Sequence, residues 1–301
     1  MIDFSDLSKD TYTISLTPSS ELGFHTISPI QSGNEAIDLG EDAHPFVVDY
    51  NLDGKKDLIV GTQEGKIGLF INQGTDKTPQ FSGYTFLKEN DKDIDVGSHA
   101  APFMVDYNND GRSDLLVGNG DGYLIYYENK GSRDNPMFDT FFVLTDVDGS
   151  DIAVDSHCKP LVVDWNEDKK KDIVLGCGSG RVSLYLNQGS DGAPLVSPPL
   201  VIEAEGRGIE VEGLASPFAA DVNSDGMRDL LIGDGGGCIH VYLGSEGEEG
   251  IYLRETESLL LNGEAIMLEG STVPFLVDWN NDGNLDLLTG SGDGKVFVLM
   301  Q

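Results

Sequence analysis

The stretch from Pro45 to Gly61 reads PFVVDYNLDGKKDLIVG, and close variants of it recur along the chain. A short apolar run leads into an acidic loop, and a second apolar run that ends in glycine follows. The copies begin at Pro45, Pro102, Pro160, Pro217 and Pro274, and their first loop aspartates are 57, 58, 57 and 57 residues apart. A fixed period of this kind indicates a repeat architecture in which each copy forms one supersecondary unit.

Each copy predicts four β-strands. The first two are the apolar runs on either side of the acidic loop, the third is an alternating run such as Tyr123–Asn129, and the fourth is a more variable run such as Phe81–Leu87. No segment between them keeps a helical period. We therefore predict an all-β fold, a five-bladed β-propeller with four strands per blade, in which radial closure protects the sheet edges.

The two ends of the chain predict how the ring closes. The last copy stops at Gln301, directly after its third strand, and residues 24–45 align without gaps to residues 81–102. We therefore expect the N-terminal strand to pair with the C-terminal blade. Residues 24–301 are predicted to form a single propeller domain, and residues 1–23 an N-terminal extension. Within it, Tyr12–Leu16 could be an extra edge strand or part of a linker.

The acidic loop has the pattern D-x-N-x-D-G-x-x-D, which places oxygen side chains at positions 1, 3, 5 and 9. Ca²⁺ binds six to eight oxygens, and a backbone carbonyl at position 7 would add one more. The predicted ligands, loop by loop, are Asp49, Asn51, Asp53, Lys55 and Asp57; Asp106, Asn108, Asp110, Arg112 and Asp114; Asp164, Asn166, Asp168, Lys170 and Asp172; Asp221, Asn223, Asp225, Met227 and Asp229; and Asp278, Asn280, Asp282, Asn284 and Asp286.

A metal-free alternative exists for these loops, because Asp and Asn are ordinary turn residues. Five copies that keep all four oxygen side chains favour Ca²⁺ as the cofactor, with up to five ions, and oxygen-only ligation argues against Zn or Cu. Three close carboxylates repel one another without a cation, so metal binding should be coupled to stability. The third loop has Lys169 where the others have glycine, and we expect a more strained turn and the weakest site there.

The repeat resembles the FG-GAP repeat of integrin α-subunit propellers and the related VCBS-type repeats of bacterial surface proteins. The resemblance runs from about residue 24 to residue 301 and is specific in the stretch F-x-x-x-D-x-N-x-D-G-x-x-D-[LI]-[LIV]. It implies calcium bound between the first and second strands of each blade. The predicted blade number differs from the seven of integrin propellers, so partner specificity is not carried over.

Composition excludes several classes of function. The formal net charge is −33, from 19 Lys and Arg against 52 Asp and Glu, and such a surface repels nucleic acid. No apolar run is long enough to span a membrane. The stretch Met1–Ser8 lacks the pattern of a signal peptide. We expect an extracellular, periplasmic or cell-surface location with the leader removed, and a cytoplasmic location is the alternative.

The loops opposite the predicted calcium loops differ between copies. His99 and His157 occupy the same repeat position, where the other copies have Asp42, Leu214 and Ser271. We predict that these loops surround the mouth of the channel and that the two histidines mark the ligand face. The alternative is that both are ordinary polar loop residues.

The cysteines and the aromatic residues each leave two interpretations open. Cys158, Cys177 and Cys238 are too few for a disulfide scaffold; they could form a small site with His157, or they are buried thiols. Aromatic residues follow the first loop aspartate in four copies, where they could stack sugars or pack blade against blade. These are Tyr50, Tyr107, Trp165 and Trp279.

Together these features predict a calcium-stabilised, non-catalytic binding or adhesion module that recognises a protein or a carbohydrate at the channel mouth. No nucleophile elbow, phosphate-binding glycine loop or zinc protease motif is present in the sequence. Two alternatives remain: a polysaccharide lyase or hydrolase that uses the channel mouth, and a structural subunit of a larger extracellular assembly.

Overall fold

The computed structural model describes residues 23–247, 250–256, 259–262 and 264–301, and within these ranges the chain is built of strands and turns. The strand predicted at Tyr12–Leu16 and almost all of the predicted extension lie outside the described residues. Within the described ranges, no helix is long and apolar enough to cross a membrane. The predicted all-β class is therefore observed.

The strands follow the apolar runs of the repeat, and their inner members are buried on both faces. In chain order they are β1 (Gly23–Phe24), β2 (Thr26–Pro29), β3 (Gln31–Ser32), β4 (Glu35–Ala36), β5 (His44–Val48), β6 (Asp57–Gly61), β7 (Ile67–Phe70), β8 (Thr85–Phe86), β9 (Lys88–Glu89), β10 (Lys92–Asp93), β11 (Ala101–Val105), β12 (Asp114–Gly118), β13 (Leu124–Asn129), β14 (Phe138–Val143), β15 (Lys159–Val163), β16 (Asp172–Gly176), β17 (Val182–Tyr185), β18 (Leu200–Val201), β19 (Glu203–Ala204), β20 (Arg207–Gly208), β21 (Ser216–Ala220), β22 (Asp229–Gly233), β23 (Ile239–Gly247), β24 (Gly250–Glu255), β25 (Leu260–Leu261), β26 (Glu264–Ala265), β27 (Val273–Val277), β28 (Asp286–Gly290) and β29 (Val296–Met300).

Five of the sheets carry one acidic loop each, between their first and second strands, and we number them I to V. Sheet I has the order β5-β6-β7-β8, sheet III has β15-β16-β17-β18, and sheet V has β27-β28-β29-β2. Sheets II and IV contain six strands, in the orders β11-β12-β13-β14-β9-β10 and β21-β22-β23-β24-β19-β20. The first strands of sheets I to V contact one another in sequence, and β27 contacts β5, so they surround a common axis.

The predicted pairing of the chain ends is confirmed. Strand β2 pairs antiparallel with β29 in the register Thr26 to Met300 and Pro29 to Phe297. The N-terminal segment therefore supplies the outer strand of sheet V, as the alignment of residues 24–45 predicts. Sheet V therefore joins residues 26–29 to residues 297–300, which are far apart in the sequence.

Close contact between neighbouring sheets explains the glycine that ends each repeat motif. A Cβ atom on Gly61 would lie 1.9 Å from the carbonyl oxygen of Ala100 in the next sheet, and one on Gly290 would lie 1.9 Å from that of Ala43. Only glycine permits such an approach. The Phe46 ring packs against Phe103 at 4.8 Å and against Phe275 at 5.3 Å between centroids, so aromatic side chains fill the space near the axis.

The predicted blade architecture needs correction. The prediction is five blades of four strands, whereas the described strands form seven sheets, six of which have three or more strands. The sixth is the sheet β1-β25-β26, which carries no acidic loop, and β3-β4 is a two-stranded ribbon. The fold is accordingly classed as a six-bladed β-propeller, and the prediction of five blades is wrong. The number of blades was predicted from the number of acidic loops, and this number includes only the sheets that carry such a loop.

Short peripheral hairpins account for the extra strands. The hairpin β9-β10 follows sheet I and pairs in parallel with β14 of sheet II, and β19-β20 does the same between sheets III and IV. Strand β25 pairs in parallel with β1, and Ser32 forms a parallel bridge with Phe81. Two-residue strands leave almost no periodic pattern in a sequence, which is why these links were not predicted.

Candidate metal loops and channel-mouth pocket

Strand pairing places the two ends of each acidic loop side by side. In sheet I, Val48 pairs with Asp57, so the carboxylates of Asp49 and Asp57 flank the same turn. The pairs Val105–Asp114, Val163–Asp172, Ala220–Asp229 and Val277–Asp286 repeat this register in the other four sheets. Loop positions 1 and 9 are therefore brought together in every copy, as the calcium prediction requires.

Hydrogen bonds to the backbone hold each loop in shape. In the first loop, the Asp53 N–H donates to Asp49 Oδ1 and to Asn51 Oδ1, both at 3.0 Å, and the Gly54 N–H donates to Asp49 Oδ2 at 2.9 Å. The equivalent three bonds occur in all five loops, with Lys169 in place of glycine in the third. The aspartate and asparagine at positions 1 and 3 thus fix a compact turn that points oxygens inward.

The aspartate at position 9 is fully buried in every loop. Asp57 accepts hydrogen bonds from the backbone N–H groups of Asn72 at 2.7 Å and Tyr50 at 3.0 Å. Burial, reinforced by the nearby carboxylates of Asp53 and Asp49, raises the pKa of Asp57 to about 6. Burial likewise raises the pKa of its counterparts to about 6 in Asp114, Asp229 and Asp286 and above its usual range in Asp172.

These features test whether a hard cation fits the loops. The donors are oxygens only, and the buried carboxylate of Asp57 is bonded by neutral N–H groups rather than by a cationic side chain. A divalent cation would supply the missing counter-charge. No group of three or more His, Cys, Asp or Glu side chains in the described ranges is already gathered tightly enough to hold a metal ion. The donor chemistry fits Ca²⁺, and the side chains at positions 1, 3 and 5 are those that would turn towards it.

The five loops differ at position 7. Lys55 lies 3.0 Å from Asp53, Arg112 contacts Asp110, and Lys170 lies 3.3 Å from Asp168, so a cationic side chain already faces position 5 in the first three loops. The fourth and fifth loops carry Met227 and Asn284 there. At position 6 of the third loop, Lys169 adopts φ 66°, the left-handed conformation that glycine adopts in the other loops, which confirms the expected strain.

His99 and His157 lie together at the opposite end of the sheets. Their ring centroids are 4.3 Å apart, and both line a pocket of about 20 Å³ near the axis. All five loop-bearing sheets contribute to its walls. The lining residues are Asp42, Ala43, His44, His99, Ala100, Ala101, His157, Lys159, Leu214, Ser271 and Val273. The structure therefore brings the two histidines together in one pocket, which we call the channel-mouth pocket, and their assignment to a ligand face stays a prediction.

The pocket is built from a strained backbone and a short polar network. His99 and His157 have φ values of 45° and 48°, and Asp42 and Leu214 at the same repeat position have 56° and 46°. Such conformations are costly for residues other than glycine and concentrate at functional sites. Asp42 accepts a hydrogen bond from Ser271 at 2.9 Å and lies 3.0 Å from His99 Nδ1, so three sheets meet in this network.

Two basic residues of the pocket were missed in the sequence. Lys159 is buried and donates to the carbonyl of Leu214 at 3.2 Å, and burial lowers its pKa to about 8. Both ring nitrogens of His44 are buried without a hydrogen-bond partner, and burial, followed by the charge of Lys159, holds the pKa of His44 well below its usual range. Both residues are the first of an innermost strand and stand two positions after the repeat position held by Asp42, His99 and His157. This shared repeat position is the sequence signal that could have identified them.

The cysteines and loop aromatics behave as structural residues. All three cysteines are free, and Cys158 is fully buried, which raises its pKa far above its usual range. Tyr107 and Trp279 are buried in the core, and Tyr50 and Trp165 pack against it. This placement favours the packing interpretation of the aromatics and the buried-thiol interpretation of Cys158.

Comparison with known proteins agrees with the loop geometry. A family model described as an FG-GAP-like repeat matches residues 49–117 and 164–232, each block beginning at the first aspartate of a loop and containing two loops. These two blocks are FG-GAP-like repeats. The match confirms the resemblance that the D-x-N-x-D-G-x-x-D stretch predicts.

The curated relatives of this chain include integrin α-subunits. Integrin alpha-6 of Gallus gallus is 36% identical over 107 residues, which cover 30% of this chain and 10% of that protein. Integrin alpha-7 of Homo sapiens is 30% identical over 144 residues, which cover 43% of this chain and 12% of that protein. The chain thus matches only about a tenth of the length of these relatives.

Among solved structures, this chain is similar to a lectin of Agrocybe aegerita that recognises non-reducing terminal N-acetylglucosamine. The TM-score is 0.41 and the sequence identity 17%, with 84% of this chain and 75% of the lectin chain covered.

Proposed function

We propose that the chain is a calcium-stabilised, non-catalytic binding module, with Ca²⁺ in the acidic loops and a protein or carbohydrate ligand at the channel mouth. The observation that carries the calcium part is the buried aspartate at position 9. In all five loops it is fully buried, and its neighbours in the loop are further carboxylates. A cation at that point would offset both the burial and the repulsion.

The loop differences support an order of affinity. A lysine or arginine at position 7 already faces position 5 in the first three loops, and it would compete with Ca²⁺ for that carboxylate. The fourth and fifth loops lack this competitor, so we expect them to bind most tightly. The strained third loop, with Lys169, is expected to bind least tightly.

Thermal unfolding with and without Ca²⁺ tests the calcium part. A ligand that binds only the native state raises stability by RT ln(1 + [L]/Kd) for each site, so saturation of several loops should raise the Tm by ten degrees or more, on the order of 2–4 kcal/mol per site. Mg²⁺ at the same concentration is the control, because it prefers a smaller octahedral shell. An unchanged Tm after chelation would show that the loops are metal-free turns.

The proposed location of the ligand is supported by a difference in loop sequence between the two ends of the sheets. The loops at the acidic end repeat one chemistry, whereas those at the channel mouth vary from copy to copy, and variable loops on a rigid scaffold tend to carry binding residues. Similarity to integrin α-subunits supports a binding or adhesion role and a site of action outside the cytoplasm, where calcium is abundant. The net charge of −33 favours a neutral or basic partner.

A calcium-dependent screen against immobilised proteins and glycans would identify the ligand, and point variants then test the face. His99→Ala and His157→Ala should weaken binding while the Tm stays within a few degrees. Asp106→Ala should lower the Tm and reduce binding only through unfolding. Loss of binding in a folded Asp106→Ala protein, together with normal binding by both histidine variants, would assign the ligand to the loop end.

An enzyme that uses the channel mouth is the second candidate, since three histidines and Asp42 line one pocket. The pocket volume of about 20 Å³ argues against it, because sites that enclose a small-molecule substrate usually measure about 300–1,000 Å³. Incubation with polysaccharides and detection of new reducing ends or unsaturated products would test this candidate, and we expect no product.

A further inference from the structure

The channel-mouth pocket contains more basic groups than the composition of the chain predicts. In a chain with 19 Lys and Arg against 52 Asp and Glu, Lys159 and three of the five histidines line one small pocket. The carboxylate among them, Asp42, is already engaged by His99 at 3.0 Å and by the Ser271 hydroxyl at 2.9 Å. The groups left facing the pocket are therefore basic.

Three polar atoms in this pocket are buried without a hydrogen-bond partner. They are both ring nitrogens of His44 and Nδ1 of His157. Buried polar groups are normally paired, and an unpaired one destabilises the native state, so each such atom calls for a ligand or another explanation. Lys159 adds an ammonium group that is bonded to a neutral carbonyl, that of Leu214.

We propose that this pocket is a site for a single carboxylate group, presented at the tip of a protein ligand and held by Lys159, His157 and His44. The inference rests on the proposed docking at the channel mouth and specifies the group that enters it. A carboxylate accepts several hydrogen bonds at once, which matches the donors that converge here. A metal ion fits less well because the ammonium group of Lys159 would repel it.

The size of the pocket selects the kind of ligand. About 10–15 Å³ is enough for one water molecule, so about 20 Å³ admits a small planar group but not a sugar ring. A carboxylate on a flexible side chain or at a chain terminus can extend into such a space, whereas one attached directly to a sugar ring would hold the ring against the rim. One carboxylate on an otherwise neutral or basic protein is compatible with the acidic surface of this chain.

The electrostatics of the pocket are consistent with a missing anion. Burial, then the charges of His99 and Lys159, lowers the pKa of His157, and burial lowers the pKa of Lys159 despite the nearby Asp42. The charged and titratable groups facing Lys159 are Asp42, His44 and His157. An anion among them would raise the pKa of all three basic groups, so binding should tighten as the pH falls from 8 to 6.

Titration of the calcium-loaded full chain with small probes tests this inference. Acetate and acetylglycine should shift the His157 ring resonances in NMR spectra and raise the pKa of His157, and acetamide, the neutral analogue, should do neither. Lys159→Met should weaken acetate binding at least tenfold. Lys92→Met, which removes an exposed lysine, should leave it unchanged. If Lys159→Met does not fold, His157→Gln replaces it with the same expectation, and acetate binding is then followed through the ring resonances of His44.

Several outcomes would overturn the inference. Equal responses to acetate and acetamide, or unchanged acetate affinity in a folded Lys159→Met protein, would remove the carboxylate site. Binding of Zn²⁺ with displacement of acetate would assign a metal site instead. Glucuronate binding tighter than acetylglycine would assign the site to acidic sugars. If acetate binds as expected while His99→Ala and His157→Ala leave binding of the screened ligand intact, the proposed docking face fails and the carboxylate site stands.

Discussion

The two ends of the sheets carry opposite charges. The end with the acidic loops, here called the loop end, is rich in carboxylates, whereas the channel mouth is lined by basic groups. At the loop end, the acidic loops gather carboxylates that repel one another, and burial raises the pKa of Asp49 and of Asp57. At the channel mouth, Lys159 and the histidines gather basic groups whose burial needs an anion. The loop end is nearly identical in all copies, which is expected of a structural clamp. The mouth varies between copies, although two of them share a histidine at the same position, and such variation is expected of a surface that recognises one particular partner.

The comparison predicts that the largest effect of a point substitution lies at the loop end. Asp114 is fully buried and accepts bonds from Asn129 N–H at 2.8 Å, Tyr107 N–H at 3.2 Å and the Tyr126 hydroxyl at 2.9 Å. Asp114→Ala leaves these donors unpaired and should lower the free energy of unfolding by about 3 kcal/mol or more. Chemical denaturation in the presence of Ca²⁺ would measure the loss.

Two matched variants sharpen that result. Asp114→Asn keeps an oxygen acceptor and should lose less stability than Asp114→Ala in chelator, while it loses most of the gain from Ca²⁺. Asp42→Ala removes a half-buried carboxylate at the mouth and should cost below about 1 kcal/mol. A larger loss for Asp42→Ala than for Asp114→Ala would reverse the assignment of structural and binding ends.

The buried lysine at the channel mouth, Lys159, should make the stability of the protein depend on pH. An unfolded lysine titrates near pH 10.5, whereas the pKa of buried Lys159 is lowered to about 8. Between pH 8 and 10 the unfolded chain therefore binds more protons at Lys159 than the native protein does, and this group should raise the free energy of unfolding by up to about 1.4 kcal/mol per pH unit. Above about pH 9 the buried Cys158 thiol opposes the rise, because burial raises its pKa. Urea denaturation at pH 8, 9 and 10 in carboxylate-free buffer would measure the slope.

Lys159→Met should abolish most of that rise, and Lys92→Met should retain it. The pH window for this rise ends near 9, because burial raises the pKa of the Cys158 thiol far above its usual range and that of tyrosines such as Tyr50 to about 12. The native protein then keeps protons that the unfolded chain loses, so these groups lower the free energy of unfolding as the pH increases further. An identical slope in the Lys159→Met and Lys92→Met proteins would mean that Lys159 is not desolvated in the native state.

More of the loop end than of the channel mouth could be predicted from the sequence. The strands, the side-by-side placement of loop positions 1 and 9 and the pairing of β2 with β29 follow from features that repeat every 57 or 58 residues. His99 and His157 were found because they share a register. His44 and Lys159 occupy another register, but two different residue types do not form a visible pattern until the fold brings them to one axis.

The blade count failed for a related physical reason. The acidic loop marks a sheet only when its first two strands enclose an acidic turn, and the described strands of the sheet β1-β25-β26 enclose none. Its strands are two residues long, as are those of β9-β10 and β19-β20, and parallel pairing between distant segments such as Phe138 and Glu89 has no local sequence signature. A repeated motif gives the number of its own copies, and the number of sheets can be larger than that.

The smallest predicted effect tests the one irregular loop. Lys169 has φ 66° where Gly111 of the second loop has φ 87°, and left-handed conformations cost a residue with a side chain about 1 kcal/mol. Lys169→Gly should therefore raise the free energy of unfolding by about 0.5–1 kcal/mol in chemical denaturation with chelator present. Gly111→Lys is the matched reverse change; because no atom lies within 4 Å of a Cβ placed there, its cost would be conformational alone. Equal stability of both variants and the parent protein would show that this turn is not under strain, and calcium affinity in the third loop would then match that in the second.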